Sequence, residues 1–456
     1  MDEYIDICQN VISKTIPKVD YIDIRAGTGS TTGLVMKDRN IDEIKTGNTF
    51  GVRVRVLNNG AWGFAYTNDF SKLDEITETS VRLSNSLKGE VELAEADVVT
   101  DKIKNDVKIQ PSDVSIEEKK NLLKEVSDIA DFGEIVSITA SYSDNESNSI
   151  FLNSDGSLIE QNTTRTVLSL NSVAKDGEML QNGHGSIGGV KGFEVFKEED
   201  LEKYAREISE KAIRLLSAES APSGQYPIIA DNLLTGVLIH EALGHAVEGD
   251  LIIQNDSILK DKMGEIIASD IVNIFDDASM KDGYGYYAYD AEGVKTKPNQ
   301  LVKDGKLVGL LNSRESGKKL GMNSSGNARS YIQDQPIVRM SNTYLQPGEL
   351  TFDELIEDIK DGIYLKGSRG GQVDTGKGIF QFNAAEAYKI NNGEITTTLR
   401  DVSLSGNILE TLKNVAGVGK DFKMSVGNCG KGGQIVPVGD GGPHTKILNA
   451  LVGGSQ

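Results

Sequence analysis

The chain has 456 residues, about three times the ~150 residues of an ordinary domain, so more than one hydrophobic core is expected. Its 48 Lys and Arg against 68 Asp and Glu give a formal net charge of −20, which opposes direct binding to nucleic acid or to anionic lipid headgroups. No apolar run approaches the ~18 residues of a membrane span, and the N-terminus is acidic where a secretory signal would be basic. We therefore expect a cytoplasmic protein that does not associate with membranes.

The first 110 residues combine helical and strand-like patterns. Apolar residues at helical spacing before Pro17 predict a first helix, and Cys8 belongs to its apolar stripe. The turn sequence Asn58-Asn59-Gly60 predicts a β-hairpin between two alternating segments. The predicted elements are a helix over 1–18, strands over 21–26, 31–37, 52–57 and 61–66, and a helix over 71–87. A charged, irregular stretch up to about residue 115 is a candidate linker.

The same order of elements recurs between residues 111 and 221. Ser115 and Glu118 form a capping-box pattern at the start of a helix, and a turn at Asp155-Gly156 separates alternating segments. The predicted strands cover 135–142, 149–153, 158–162 and 167–174, and a helix over 200–216 ends before Pro222-Ser-Gly. These patterns predict an N-terminal domain over 1–221, with segments of about 1–110 and 111–221, built from helices and an antiparallel sheet.

Residues 222–456 predict a second, β-rich domain, which makes the chain an α+β protein of two domains. A short strand over 226–230 is followed by a helix with Asp231 or Asn232 as its N-cap. Short β-like segments and Gly-rich turns then dominate, with one late helix predicted over 352–362.

The most informative sequence is His240-Glu-Ala-Leu-Gly-His245, an HExxxH motif one residue longer than the HExxH of zinc peptidases. In a regular helix, residues i and i+5 lie about 140° apart, so the two imidazoles would not face one ion. A π-bulge restores the alignment, and Gly244, which is flexible and has no Cβ, lies where such a bulge would cost least. We therefore predict a bulged or broken helix between His240 and His245.

A catalytic zinc needs a third protein ligand, and the spacing of the residues leaves this choice open. Glu248 and Asp250 follow the motif closely, and a His-His-Glu set is possible. The other candidates are His184, His444 and Cys429, each in a Gly-rich context. A buried helix with two ordinary hydrogen-bonded histidines would produce the same sequence pattern without any metal.

Several longer motifs carry a family resemblance, namely the segment 240–250, Tyr289-Asp-Ala-Glu-Gly-Val294, Asn342-Thr-Tyr-Leu-Gln-Pro-Gly348, Ile395 with the Ser405-Gly-Asn407 that follows it, and Asn428-Cys-Gly-Lys-Gly-Gly-Gln-Ile-Val-Pro437. With these motifs the sequence resembles the TldD/PmbA (TldD/TldE) family, and specifically its TldD branch, which carries the metal motif that the TldE branch lacks. The resemblance implies a zinc metallopeptidase with His240, His245 and Cys429 as metal ligands and Glu241 as the general base. It also implies a homodimer, or a heterodimer with a TldE-like subunit, and a buried site that admits unfolded peptides.

These features predict a Zn²⁺-dependent metallopeptidase in which Glu241 takes a proton from a metal-activated water molecule. The alternative is a non-catalytic peptide-binding or partner-regulating protein whose metal is structural, and activity could also require a TldE-like partner. The β-rich domain favours an extended peptide substrate held by strand addition. The net charge would favour basic peptides, although the charge of a whole protein is a poor guide to that of a buried groove. For the group that stabilises the oxyanion, a tyrosine, an arginine and His444 remain candidates.

Overall fold

The computed structural model describes residues 2–454; Met1, Ser455 and Gln456, at the ends of the two predicted domains, lie outside it. The first part of the chain is built on a seven-stranded sheet in the order β3-β2-β1-β5-β6-β4, with β7 also paired to β6. Its elements are α1 Asp2–Thr15, β1 Tyr21–Lys37, β2 Asn40–Asn58, β3 Ala61–Thr67, α2 Leu73–Ser86, β4 Thr100–Lys104, α3 Ile116–Ala130, β5 Ile135–Asn153, β6 Leu158–Asp176, β7 Met179–Gly189, α4 Val195–Glu198 and α5 Leu201–Leu216.

Three of these strands are far longer than the sequence pattern predicted. The predicted pairs 21–26 with 31–37, 135–142 with 149–153 and 158–162 with 167–174 are each one continuous strand of 17 or 19 residues. The stretches between them are rich in Gly, Ser, Thr and Asn and lack apolar alternation. The reason is that each long strand crosses two separate cores: α1 and α2 pack on one end of the sheet, whereas α3 and α5 pack on the other.

The helices of this region follow their predicted signals closely. Cys8 is fully buried in the core under α1, as its apolar stripe predicted. The Ser115 side chain accepts a hydrogen bond from the Glu118 N–H at 3.1 Å, which is one half of the predicted capping box. Strand β7 was not predicted because the run Asn182-Gly-His-Gly-Ser-Ile-Gly-Gly189 has the composition of a loop.

The second part of the chain contains two larger sheets, which confirms the α+β class and the β-rich character of this region. Ten strands form one sheet, in the order β17-β18-β21-β25-β9-β16-β19-β20-β8 with β22 on β25, and six form another, β12-β11-β10-β15-β24-β23. The elements are β8 Glu219–Ser220, β9 Gly224–Ala230, α6 Asn232–Ile239, α7 Gly249–Gln254, β10 Ile274–Asp277, β11 Pro298–Lys303, β12 Lys306–Leu307, α8 Arg314–Lys319, β13 Ala328–Arg329, β14 Ile337–Val338, β15 Asn342–Leu345, α9 Phe352–Ile356, β16 Asp361–Lys366, β17 Gly371–Asp374, β18 Ile379–Asn383, β19 Glu386–Asn391, β20 Glu394–Arg400, β21 Val402–Asn407, α10 Ile408–Lys413, β22 Val415–Val418, β23 Lys423–Lys431, β24 Gln434–Gly442 and β25 Thr445–Gly454.

The late helix is shorter than predicted. α9 begins at a complete capping box of Thr351 and Glu354 but ends at Ile356, because the chain then turns to enter β16. There Ile363 pairs in parallel with Ile228 of β9. Long-range pairing thus takes residues 361 and 362 from the predicted helix into a strand.

Helix α6 lies against β24, and this contact positions the motif that follows the helix. Gly236 allows the close approach, because a Cβ at this position would lie 2.6 Å from the Gly441 nitrogen and 2.7 Å from the Asp440 carbonyl carbon. The apolar side of α6 joins the largest core of the protein through Leu234 and Leu238. Among residues 2–454, no helix combines the length and the apolar composition needed to cross a membrane.

Candidate metal centre

The motif residues lie on a π-helical turn that continues α6. Asp231 caps α6 by accepting a hydrogen bond from the Leu234 N–H at 2.8 Å, and the α-helix runs to Ile239. From His240 to Gly244 the chain is π-helical, and the His245 N–H donates to the His240 carbonyl at 3.2 Å. This i to i+5 hydrogen bond absorbs the extra residue of HExxxH, so the predicted bulge is confirmed.

Gly244 serves this turn through its missing Cβ rather than through its backbone freedom. Its φ lies outside the positive range, so any L-residue could adopt the conformation. A Cβ at this position would, however, lie 1.9 Å from the Met340 sulfur, which packs directly against the turn. Of the two reasons that the sequence offered for a glycine here, the missing Cβ is therefore confirmed, whereas backbone flexibility is not needed.

His240, His245 and Cys429 come together at the end of this turn. One donor atom from each lies within 4.8 Å of the other two. The Cys429 sulfur lies 3.4 Å from His245 Nε2, and the two imidazole rings are 5.2 Å apart and nearly perpendicular. Cys429 lies on β23, the edge strand of the six-stranded sheet, 184 residues away from His245 in sequence.

Two carboxylates behind the imidazoles fix which ring nitrogen faces the sulfur. Asp440 Oδ1 lies 2.7 Å from His240 Nδ1, and Glu248 Oε2 lies 3.1 Å from His245 Nδ1. Each Nε2 is therefore left to face Cys429. A carboxylate behind each histidine is the arrangement that orients metal-binding imidazoles.

The alternative ligands from the sequence lie elsewhere. Glu248 contacts the back of His245 and is fully buried, and Asp250 binds the Lys431 ammonium at 2.8 Å. Lys431 also lies 3.1 Å from Glu248, so it neutralises both carboxylates.

The remaining two histidines lie outside the cluster. His184 is exposed on β7. His444 lies between the Asp421 carboxylate at 2.7 Å and the Tyr364 hydroxyl at 2.9 Å, so it is not a group free to stabilise an oxyanion at the triad.

Asp440 was missed from the sequence, although one signal was present. It occurs in Val438-Gly-Asp-Gly-Gly442, where the flanking glycines permit the close approach of α6. Neither the aspartate nor the glycines form a known ligand spacing with HExxxH. Only the pairing of α6 with β24 brings the carboxylate to His240.

The local electrostatics favour a thiolate at Cys429. Burial would raise the pKa of this thiol, but hydrogen bonds and charge from His240 and His245 outweigh it and lower the pKa to about 5. Burial lowers the pKa of His245, but its contacts with Cys429 and Glu248 raise it to about 9. Cys8 provides the contrast, because burial without a partner raises its pKa to about 12.

Glu241 lies beside the triad rather than in it. Its Oε2 is 3.9 Å from His245 Nε2, and 29% of its side chain remains exposed. Burial raises the pKa of Glu241 above its usual value, against the opposing charge of His240 and His245. A partly accessible carboxylate with a raised pKa is suited to take up and release a proton.

The donor set fits a divalent metal. Two imidazole nitrogens and a thiolate are three protein ligands, the number at which a catalytic ion keeps a position open. The 3.4 Å between sulfur and Nε2 matches the ~3.5 Å that a tetrahedral ion imposes on ligands at ~2.3 and ~2.0 Å. The second ring nitrogens are already occupied by carboxylates, so little rearrangement is required.

A cleft lies next to this cluster. It has a volume of about 720 Å³ and separates the middle of the seven-stranded sheet from the second part of the chain. Asn428, Val436 and Pro437 form one wall, and Val436 is the cross-strand partner of Cys429. The opposite wall consists of the small and polar residues of β1, β5 and β6 that interrupted the predicted strands.

Comparisons with known proteins cover almost the whole chain. Three family models match in order: PmbA/TldA metallopeptidase domain 1 at residues 22–84, the central domain at 109–216 and the C-terminal domain at 223–454. A Methanothermobacter thermautotrophicus protein named metalloprotease is 55% identical over 450 residues, covering 99% of both chains. A Saccharolobus solfataricus protein named zinc metalloprotease TldD homolog is 30% identical over 408 residues, covering 89% of this chain and 90% of the other.

The same fold occurs in a solved structure. A Thermotoga maritima protein described as a candidate modulator of a DNA gyrase superposes with a TM-score of 0.83 at 22% identity. The match covers 99% of this chain and 100% of the other.

Proposed function

The chain belongs to the PmbA/TldD metallopeptidase family, and we propose that it is a zinc-dependent peptidase that hydrolyses unfolded peptides. In this proposal His240, His245 and Cys429 hold the metal and Glu241 is the general base. The observation that carries it is the convergence of two imidazoles and a thiolate on one point, with Glu241 beside them. A thiolate ligand favours zinc over manganese, and the name of the Saccharolobus relative includes zinc.

The bound ion would supply Lewis acidity, which polarises a peptide carbonyl and acidifies a water molecule. Glu241 then accepts the proton of the attacking water and delivers it to the leaving amine nitrogen, as base and afterwards acid. Its raised pKa suits both steps, because the carboxylate binds the proton more firmly than an exposed glutamate would. Asp440 and Glu248 hold the two imidazoles in orientation through their Nδ1 atoms.

An extended peptide is the substrate that the surroundings favour. The cleft of about 720 Å³ has the size of a small-ligand or peptide site and cannot admit a folded domain. β23 is an edge strand and carries Cys429, so a peptide added along that edge would run past the metal ligands. If proline or N-methyl replacements along a peptide left cleavage unchanged, main-chain pairing would not be the mode of recognition.

The alternative is a non-catalytic protein whose metal only stabilises the π-turn. A structural zinc is normally enclosed by four protein ligands, whereas three converge here among the described residues. This favours the catalytic interpretation. A partner-dependent enzyme is a variant of the same proposal, in which a TldE-like subunit or a second copy of the chain completes an active dimer.

The test combines metal content with peptide hydrolysis. We expect about one zinc per wild-type chain, with cleavage of an unfolded peptide, and loss of both in Cys429→Ala. Cys8→Ala is the matched control, because it removes the other buried thiol and should change neither. Glu241→Gln should retain zinc and lose hydrolysis.

Two outcomes would contradict the proposal. Full zinc retention in Cys429→Ala would exclude the cysteine as a ligand. Zinc without cleavage in the wild-type protein, alone and with a TldE-like partner added, would favour the non-catalytic alternative.

A further inference from the structure

The cleft beside the metal centre has a charge opposite to that of the protein as a whole. Apart from tyrosines, the titratable side chains among its described lining residues are Arg25, Arg165, Arg329 and Asp290. Neither lysine nor glutamate lines it. Three guanidinium groups against one carboxylate make a basic cavity in a chain of net charge −20. The expectation of basic peptides from net charge does not fit this cavity.

The single carboxylate of the cleft is already engaged. Asp290 Oδ1 accepts hydrogen bonds from the N–H groups of Glu292 and Val294, and its Oδ2 accepts one from the Ala328 N–H at 3.0 Å. Burial, followed by the nearby charge of Glu292, raises the pKa of Asp290 to about 7. Asp290 therefore shapes its own loop, and its charge acts on Arg25 without a direct ion pair.

The three arginines have no carboxylate partner. Among the side chains of residues 4–454, no carboxylate oxygen lies within 4.0 Å of their nitrogens. Arg165 donates to the carbonyls of Tyr284 and Tyr286, and Arg329, which is 8% exposed, donates to a main-chain carbonyl at 2.6 Å. The Arg25 side chain makes no hydrogen bond within the described part of the chain.

Buried arginines elsewhere in this protein are held in two ways. Arg55 binds Asp23 at 2.6 Å, and Arg314 binds Asp155 at 2.9 Å. Arg53 and Arg339, which are fully buried and do not line the cleft, instead donate to main-chain carbonyls. The three arginines of the cleft differ from both groups, because they line an open cavity where an external anion can meet their unpaired charge.

We propose that this cleft selects carboxylate-bearing peptides, with Arg25 and Arg165 binding carboxylates at its two ends. Thr31, six residues beyond Arg25 on β1, is in register with Asn145 on β5, which is in register with Arg165 on β6. At ~3.3 Å per residue, the two arginines are about 20 Å apart along the strands, the length of about six residues of extended peptide. Between them the cleft floor carries small and polar residues, namely Gly27, Gly29, Ser147, Ser149 and Thr163.

This inference deepens the proposed function, since it names the substrate class of the same site. Each arginine can form a charge-assisted, two-pronged hydrogen bond with a carboxylate, which an amide or an ammonium cannot replace. The carboxylates can be Asp or Glu side chains or the C-terminus of the peptide. The chemistry is the same, and the test separates the two sources.

The test measures binding of fluorescent ten-residue peptides to the Glu241→Gln protein by anisotropy, so that hydrolysis does not consume them. The peptides are identical except for three Glu, three Gln or three Lys, each with a free or an amidated C-terminus. We expect one of the two carboxylate sources to tighten binding at least tenfold, and Lys peptides to bind most weakly. If affinity follows the Glu content, the arginines bind side-chain carboxylates. If affinity follows the free C-terminus, they bind the terminal carboxylate.

The matched variants assign the preference to the cleft. Arg25→Gln with Arg165→Gln should reduce the carboxylate preference about tenfold or more. Arg206→Gln, which removes a positive charge from the exposed face of α5, should leave the preference intact. Equal binding of Glu, Gln and Lys peptides with either terminus, or an unchanged preference in the double variant, would overturn the proposal. The comparison among peptides does not depend on the folding of the arginine variants, because it is made on the Glu241→Gln protein with both arginines in place.

The two proposals fail separately. Cleavage of all peptides by the wild-type enzyme at equal kcat/KM, with equal binding, would refute carboxylate selection and leave the peptidase. Selective binding without any hydrolysis would refute the peptidase and leave carboxylate selection.

Discussion

Replacing Asp440 tests whether the carboxylate behind His240 contributes to metal binding. Its Oδ1 lies 2.7 Å from His240 Nδ1, and the imidazole is buried, so no water can take over a lost contact. Asp440→Asn keeps an acceptor oxygen but removes the negative charge. Asp440→Ala removes both.

The two variants should therefore form a graded series. Loss of a partner behind a metal-binding histidine lowers metal affinity by about 10- to 100-fold, which corresponds to about 1.4 to 2.7 kcal/mol. We expect Asp440→Asn near the lower value, because the ring stays oriented, and Asp440→Ala near the upper one.

Zinc affinity is measured by competition with a chromophoric chelator, and unfolding is followed in parallel to establish that each variant is folded. The control is Asp421→Asn, because Asp421 lies at the same 2.7 Å from Nδ1 of His444, a histidine outside the metal centre. An affinity for Asp440→Ala within twofold of wild type, or an equal loss in Asp421→Asn, would refute the reasoning.

Two further substitutions test the packing around the site and the sheet. Gly244→Ala should destabilise the protein by about 1–3 kcal/mol in urea titrations and weaken metal binding, because its Cβ would overlap the Met340 sulfur. Met340→Ala in the same chain should restore metal affinity in chelator titrations by removing the overlap, while stability stays below wild type because Met340 is fully buried. Lys119→Met should lower the free energy of unfolding in urea by about 3–5 kcal/mol, because it leaves Asp144 buried without the ammonium that now lies at 2.7 Å. The control is Lys124→Met, which breaks an exposed ion pair and should cost under about 1 kcal/mol. Equal costs in the two variants would contradict this account.

The local features of this fold were predictable where short-range physics decides them. Ser115 and Asp231 cap their helices as expected, and the i to i+5 spacing of the motif required the π-turn that the structure contains. The long strands were not predictable, because their central residues face a polar cleft and lack the alternation that marks a core-facing strand. The prediction also missed β7, which is rich in glycine, because its pairing with β6 is set by tertiary contacts.

The candidate site was likewise predictable only in its local part. The spacing of His240, Glu241 and His245 lies within two helical turns, so sequence alone identifies them as a unit. Only the family resemblance favoured Cys429 over Glu248 as the third ligand. The sequence does not show which distant strand lies next to the π-helical turn. Asp440 had only its flanking glycines as a signal, and these do not indicate which side chain it contacts.

The close packing of α6 on β24 explains why residues that are distant in sequence form one site. Gly236 brings the helix against Gly441, and the same contact delivers Asp440 to His240. β24 in turn pairs with β23, where Cys429 is opposite Val436. The orienting carboxylate and the thiolate are therefore carried by one hairpin, so a shift of that hairpin would displace both from the imidazoles together. The geometry of the centre thus depends on a single helix-to-hairpin interface, and Val436 of the same hairpin also forms part of the wall of the cleft.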